Sequence, residues 1–247
     1  MAQAIYPQEL RENCLFSMYA EIAMESYYKA ERKYEEIKAN NYVVSSMWEL
    51  GEIEKQIICT VVFSAMCVES FLNNYAGACL GDKEFGENFD RLSPVSKLQL
   101  IAKFILHANV NTGEALYSRI KQLFRERDKY VHNKSKKTKY QGMTAAEFED
   151  FQKNDAELFE EGRVDDGFPK EELDKDMRIA RDALKALKDI ASLFDEYDSE
   201  AFARERIFRP SGVIFGHDTE REYKRIVFRV VGIKVDKNLA KRFSDII

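Results

Sequence analysis

The sequence predicts an all-α protein, on three observations. Glycine (11) and proline (4) are scarce among 247 residues, a third of the residues are charged, and apolar residues recur at helical spacing over long segments. A chain of this length suits one domain with an appendage or two small domains, and can bury a substantial core.

Pro7 opens a first helix that runs to about Asn40, with Leu15, Met18, Ile22, Tyr27, Tyr34 and Ile37 as its apolar stripe and Asn40-Asn41 as its end. A second, longer helix starts near Ser45-Ser46 and continues to Leu80. Its middle is apolar on nearly every side, as expected for the central helix of a bundle. Gly81 is a natural stop, and the segment GDKEFGENFD that it opens reads as a loop. Ser93-Pro94 starts a third helix, with serine as N-cap and proline in the first turn. Its apolar residues run from Val95 to Ile105, and it ends near Asn109. Asn111 or Thr112 caps a fourth, in which Leu116, Ile120, Leu123, Phe124 and Val131 turn inward while Arg127 and His132 lie towards the end.

Beyond Ser135 the character changes. Residues 143 to 176 carry thirteen acidic and four basic side chains, a net of −9, with Gly142, Gly162, Gly167 and Pro169 as breaks. Thr144 caps a short helix through Glu161, and a last long helix runs from about Lys170 to Arg204. After Pro210, the stretch REYKRIVFRVVGIKV reads equally as a strand rich in β-branched residues or as a short helix, because periodicity does not separate the two. The expected organisation is therefore a helical domain over residues 1–138. Residues 139–247 supply an acidic segment, the additional C-terminal helices and, on the strand reading, a small C-terminal β element, packing on that bundle.

Cys14, Cys59, Cys67 and Cys79 form no C-x-x-C pair and no zinc-ligand spacing, so buried reduced thiols are expected, with no metal and no cofactor. The N-terminal MAQAIYPQELREN is not a secretory signal, and the longest apolar run, Ile57 to Val68, is too short to span a bilayer. The expected location is cytoplasmic, without membrane association.

Charge is unevenly distributed. From Arg119 to Lys139 nine basic residues face two acids, Glu126 and Asp128, a local net of +7 in a chain of net −5. Such a patch attracts polyanions through counterion release, and it also complements a helix C-terminus. Within it lies Arg127-Asp128-Lys129-Tyr130-Val131-His132. Asp128 and His132 are one helical turn apart, share a face and can pair, which would orient the imidazole and favour its protonated form. Arg127 lies five residues before His132, roughly 140° around the axis, so its long side chain must bridge that angle. Together they offer a guanidinium fork for a phosphate and an imidazole for general acid–base chemistry. A surface Asp–His pair at a helix end is the alternative. Glu69, in a nearly all-apolar helix, needs a cationic partner: Arg127 or another basic residue of the bundle. Tyr130 suits either stacking on a base or core packing. His107 and His217 read as surface residues. The acidic region 143–176 is either a solvated surface or a segment that folds over the basic patch and restrains it.

Over roughly residues 10 to 138 the sequence resembles the HEPN superfamily, compact α-helical domains of many prokaryotic toxins, defence ribonucleases and RNA-processing proteins. The resemblance is carried by Arg127, the polar Asp128 and His132, which match that family's Arg-x(4–6)-His pattern near a helix end. The long run Ile57–Gly77, holding Glu69 and Asn73 as supporting groups, and the helix after Ser93-Pro94 match its preceding helices. Asparagine is commoner in that family where this chain has Asp128. The resemblance implies a HEPN-like bundle and metal-independent RNA cleavage to 2′,3′-cyclic phosphate and 5′-OH ends, in a toxin or phage-defence setting. Arg127 would neutralise the transition state, His132 would handle the proton and Asp128 would orient it. Lys129, Tyr130, Asn133, Lys134, Lys136 and Lys137 would contact the RNA. A homodimer is implied, since one histidine does not easily serve as both base and acid, and an antitoxin or defence partner fits the same setting. The alternatives are a non-catalytic HEPN-like module that binds RNA or protein, and an unrelated helical interaction protein.

Overall fold

Helix α2 (Met47–Leu80) is the element around which the others are arranged. A computed structural model of the chain describes residues 15–42, 47–108, 115–132, 170–198 and 203–208. Within them, α1 is Phe16–Ala39, α3 is Asp82–Glu84 and α4 is Pro94–Leu100; α5 is Ala115–Val131, α6 is Lys170–Tyr197 and α7 is Ala203–Ile207. Wider π-type turns, Phe85–Phe89 and Ile101–Ile105, prolong α3 and α4. The fold is all-α, and no strand occurs among the described residues.

α1 packs along α2. Its buried face is Phe16, Ala20, Ala23, Tyr27, Ala30, Tyr34 and Ile37, an unbroken three-and-four spacing. Leu15 and Met18, expected to face inward, are exposed. Tyr27, Tyr34 and Ile37 are buried as expected, so the difference lies in the first turns, where Phe16, Ala20 and Ala23 take the inward positions. Tyr42, with a left-handed φ of 64°, closes the end of α1 by donating its N–H to the Ile37 carbonyl at 2.8 Å.

α2 also meets α6, whose Leu173, Met177, Leu184, Leu187, Ile190 and Phe194 belong to the same core as α1 and α2. Phe194 stands edge-on to Phe71 and Tyr75 at centroid separations of 4.9 and 4.7 Å, a geometry that adds about 1 kcal/mol per pair to the area buried. The last long helix was expected to reach Arg204, but α6 ends at Tyr197 and α7 begins at Ala203. Asp198 marks the break. Its N–H bonds the Phe194 carbonyl at 2.8 Å, while its buried carboxylate accepts the Tyr75 hydroxyl at 2.8 Å, drawing the chain inward.

Gly81 stops α2 at φ 81°, as expected, but the residues after it are helical rather than a loop. Phe85 and Phe89, one turn apart and 6.3 Å between centroids, pack against the core and hold that turn in place. Ser93 caps α4 as expected, its hydroxyl accepting the Ser96 N–H at 3.2 Å with Pro94 in the first turn. By length and composition the α2 stretch Glu49–Leu80 suffices to cross a bilayer, a longer apolar reach than Ile57–Val68 indicated. Half of its most apolar part is buried within the bundle. The expected cap at Asn111 or Thr112, the helix from Thr144 to Glu161 and the strand or helix after Pro210 lie outside the described residues.

Candidate functional site

Helix α5 is held by a short inward stripe, Ile120, Leu123 and Phe124, all buried. An ion pair from Arg119 to Asp189 ties it to α6. Val131, expected in the stripe, is 54% exposed, because α5 stops there and its final turn projects beyond the core. Arg127, Asp128 and His132 therefore stand at the outer end of the helix.

Arg127 is half-buried and fully engaged. Its Nη1 donates to Glu69 Oε2 at 3.3 Å, while Nε and Nη2 both donate to Oδ1 of Asp128, at 2.9 and 2.7 Å. The guanidinium lies over the Phe124 ring, 5.1 Å from the centroid. Of the two partners expected for Glu69, the structure selects Arg127, so α2 anchors the arginine across the interface with α5.

His132 is exposed one residue past α5, and its N–H still bonds the Asp128 carbonyl at 2.9 Å. The expected side-chain pairing of Asp128 with His132 is replaced by pairing of Asp128 with Arg127. Two charged guanidinium donors, Nε and Nη2, converge on Asp128 Oδ1, where an imidazole would bring one. The guanidinium lies over Phe124 and is held by Glu69 and Asp128, and no bond joins it to His132.

Lys129 is bound to Glu126 at 2.6 Å. Glu126 is only 3% exposed and also accepts from Gln122 and, at 3.4 Å, from Arg125. Three donors account for a carboxylate that would otherwise be costly to bury. Tyr130 packs partly against the core. Burial, then the negative charges of Asp176, Glu126 and Glu54, push its phenol up to about 12. Asn73 lies one turn after Glu69 on α2 and faces α4 instead, where its Oδ1 accepts from Lys97 Nζ at 2.7 Å. Asn133, Lys134, Lys136 and Lys137 lie outside the described residues, as do His217 and most of the acidic region. His107 is exposed at a left-handed φ of 52°.

Cys59, Cys67 and Cys79 are free thiols, and burial raises both Cys67 and Cys79, the latter to about 11. No group of His, Cys, Asp and Glu among the described residues has the arrangement to hold a metal.

A polar seam between α1 and α6 was not foreseen. Tyr34 and Tyr42 both donate to Asp174 Oδ1, at 2.7 and 3.1 Å, and Arg181 bonds Tyr27 and Glu31 at 3.1 Å each. A concavity of about 390 Å³ opens there, lined by Tyr34, Glu171, Asp174, Met177, Arg178 and Arg181. Its partners are some 140 residues apart in the chain, so no local pattern could announce them.

Compared with known proteins, the chain matches no family model, no curated protein sequence and no solved structure.

Proposed function

We propose that this protein is a HEPN-like metal-independent endoribonuclease in which Arg127 and His132 act on the RNA backbone. The observation that supports the reading best is the placement of Arg127. An arginine anchored from the central helix by Glu69 stands near the open end of α5, where an exposed histidine follows it by five residues. The ribose 2′-OH attacks the adjacent phosphorus while a neutral imidazole takes its proton. An imidazolium protonates the departing 5′ oxygen, leaving a 2′,3′-cyclic phosphate and a 5′-OH. Arg127 neutralises the charge that accumulates on the phosphoryl oxygens, a contribution that typically governs about 10²- to 10³-fold in rate.

One protomer supplies one such histidine, and its own guanidinium is held by Glu69 and Asp128. The reaction therefore calls for a homodimer in which His132 of each copy serves the cleft. The cytoplasm, with RNA as substrate and an antitoxin or defence protein as partner, is the setting that fits.

Cleavage of single-stranded RNA in the presence of a chelator, by the wild type and by Arg127→Ala and His132→Ala, tests the proposal. Loss in both variants, with cyclic-phosphate ends in the wild-type products, is expected. Activity that survives both substitutions sinks it. The second reading is a non-catalytic module that binds RNA or protein: the two carboxylates already on Arg127 count against its acting on a phosphate, and RNA or protein binding without cleavage would select it.

A further inference from the structure

Each nitrogen of the Arg127 guanidinium already donates to a carboxylate, so a phosphodiester arriving there meets an occupied fork. Asp128 takes the Nε–Nη2 edge with two short bonds, 2.9 and 2.7 Å, and that edge is one on which an arginine chelates an anion with parallel donors. Glu69 takes Nη1 at 3.3 Å. The two acids are held differently. Glu69 projects from the central helix and its side chain is 34% exposed, whereas Asp128 sits at the outer end of α5 with 52% of its side chain exposed. Exposed ion pairs are weak because water and salt screen them. Asp128 is therefore the partner that yields.

We propose that Asp128 is a resident competitor for the anion site of Arg127: it fills the Nε–Nη2 edge when the site is empty and gives way to a phosphate group, while Glu69 keeps the guanidinium in place through the exchange. The proposal rests on the reading of Arg127 as a phosphate-binding group. It gives Asp128 a role opposite to orienting His132. A carboxylate that orients a catalytic imidazole helps the reaction, so its removal slows turnover. A carboxylate that occupies the phosphate fork hinders binding, so its removal tightens it. The competitor also sets a threshold, since an isolated anion displaces it poorly while a polyanion with further contacts does so readily. Asparagine at this position keeps the shape and lacks the charge.

The test uses the full chain as wild type, Asp128→Asn, Glu69→Gln and Arg127→Ala. The Arg127 Nε–H resonance of ¹⁵N-labelled protein is followed during titration with inorganic phosphate, and anisotropy of a labelled single-stranded RNA reports RNA affinity. Asp128→Asn is expected to bind both about fivefold more tightly, the order of one exposed ion pair. Glu69→Gln is expected to weaken both. In cleavage the Asp128→Asn effect falls on KM, with kcat preserved.

Equal or weaker phosphate binding by Asp128→Asn overturns the proposal, and so does the absence of any phosphate response at Arg127 in both proteins. A purely structural role for Asp128 would lower the melting temperature without tightening phosphate binding, which also counts against it. The two readings fail separately. If Arg127→Ala abolishes cleavage and Asp128→Asn gains nothing, only the competitor is lost. If RNA cleavage ignores Arg127 while Asp128→Asn still tightens phosphate binding, the competitor stands and the ribonuclease does not.

Discussion

Replacing Asn73 by alanine removes the acceptor of a buried ammonium, and the cost follows from the packing of α4 on α2. Lys97 is 1% exposed, its Nζ donates to Asn73 Oδ1 at 2.7 Å, and the face of Phe85 lies 5.8 Å from the charge. Losing a hydrogen bond to a charged group costs about 1.5–3 kcal/mol. The ring contact is near the outer limit of its range and offsets less than about 1 kcal/mol. Alanine is the better helix former by roughly 0.5 kcal/mol, which lowers the apparent loss. A net destabilisation of about 2 kcal/mol is expected. In a Lys97→Met background the charge is gone and a flexible apolar chain fills the stem volume, so the same Asn73→Ala change becomes nearly neutral. The helix-propensity term is common to both backgrounds and cancels in the double-mutant cycle, leaving a coupling near 2 kcal/mol. Urea unfolding followed by circular dichroism reads this as a midpoint shift of about 1 M in one background and little in the other. Equal losses in the two backgrounds would refute the claim that Asn73 serves the Lys97 charge.

Two other stability predictions follow from the same reasoning. Burial, then Glu172 and, less strongly, Glu54 and Glu126, raise the Asp176 carboxyl above its ordinary range, with Lys175 opposing. The charged form is thus disfavoured in the fold at neutral pH, and that penalty is relieved as pH falls through the raised value. Asp176→Asn is expected to melt higher than the wild type at pH 7, with the gap closing on acidification and gone below about pH 4; a gap that persists in acid contradicts this. Gly81 has φ 81° with open space where a Cβ would sit, so Gly81→Ala meets backbone strain and no clash. A loss of about 1 kcal/mol, or roughly 3 °C in melting temperature, is expected, with Gly81→Asn milder; an unchanged melting temperature would show that the end of α2 does not need the left-handed residue.

Helix positions were legible because their signals are local. Ser93-Pro94, Gly81 and Asn40 act through chemistry within a turn of themselves, and each marks a boundary in the structure. The inward face of the first turns of α1 was not legible, since Ala20 and Ala23 are small and weakly apolar beside the exposed Leu15 and Met18. The break after Tyr197 was hidden for another reason. Asp198, where α6 has ended, accepts the hydroxyl of Tyr75, 123 residues earlier, a partner that no local pattern shows.

The same limit governs the candidate site. A local charge of +7 from Arg119 to Lys139 suggests a strong positive field, but charges act in space rather than along the chain. Asp189 neutralises Arg119 from 70 residues away, Glu69 meets Arg127 from 58 residues away, and buried Glu126 holds both Arg125 and Lys129. Of the five basic residues described in that stretch, Lys121 is the one without an ion pair among the described residues. Helical spacing correctly places Arg127 and His132 at the end of α5. It does not reveal that the residue between them, adjacent to the arginine and a turn from the histidine, bonds the arginine. Nε and Nη2 of Arg127 converge on Asp128 Oδ1, and that pairing takes the carboxylate that helical spacing assigned to the histidine.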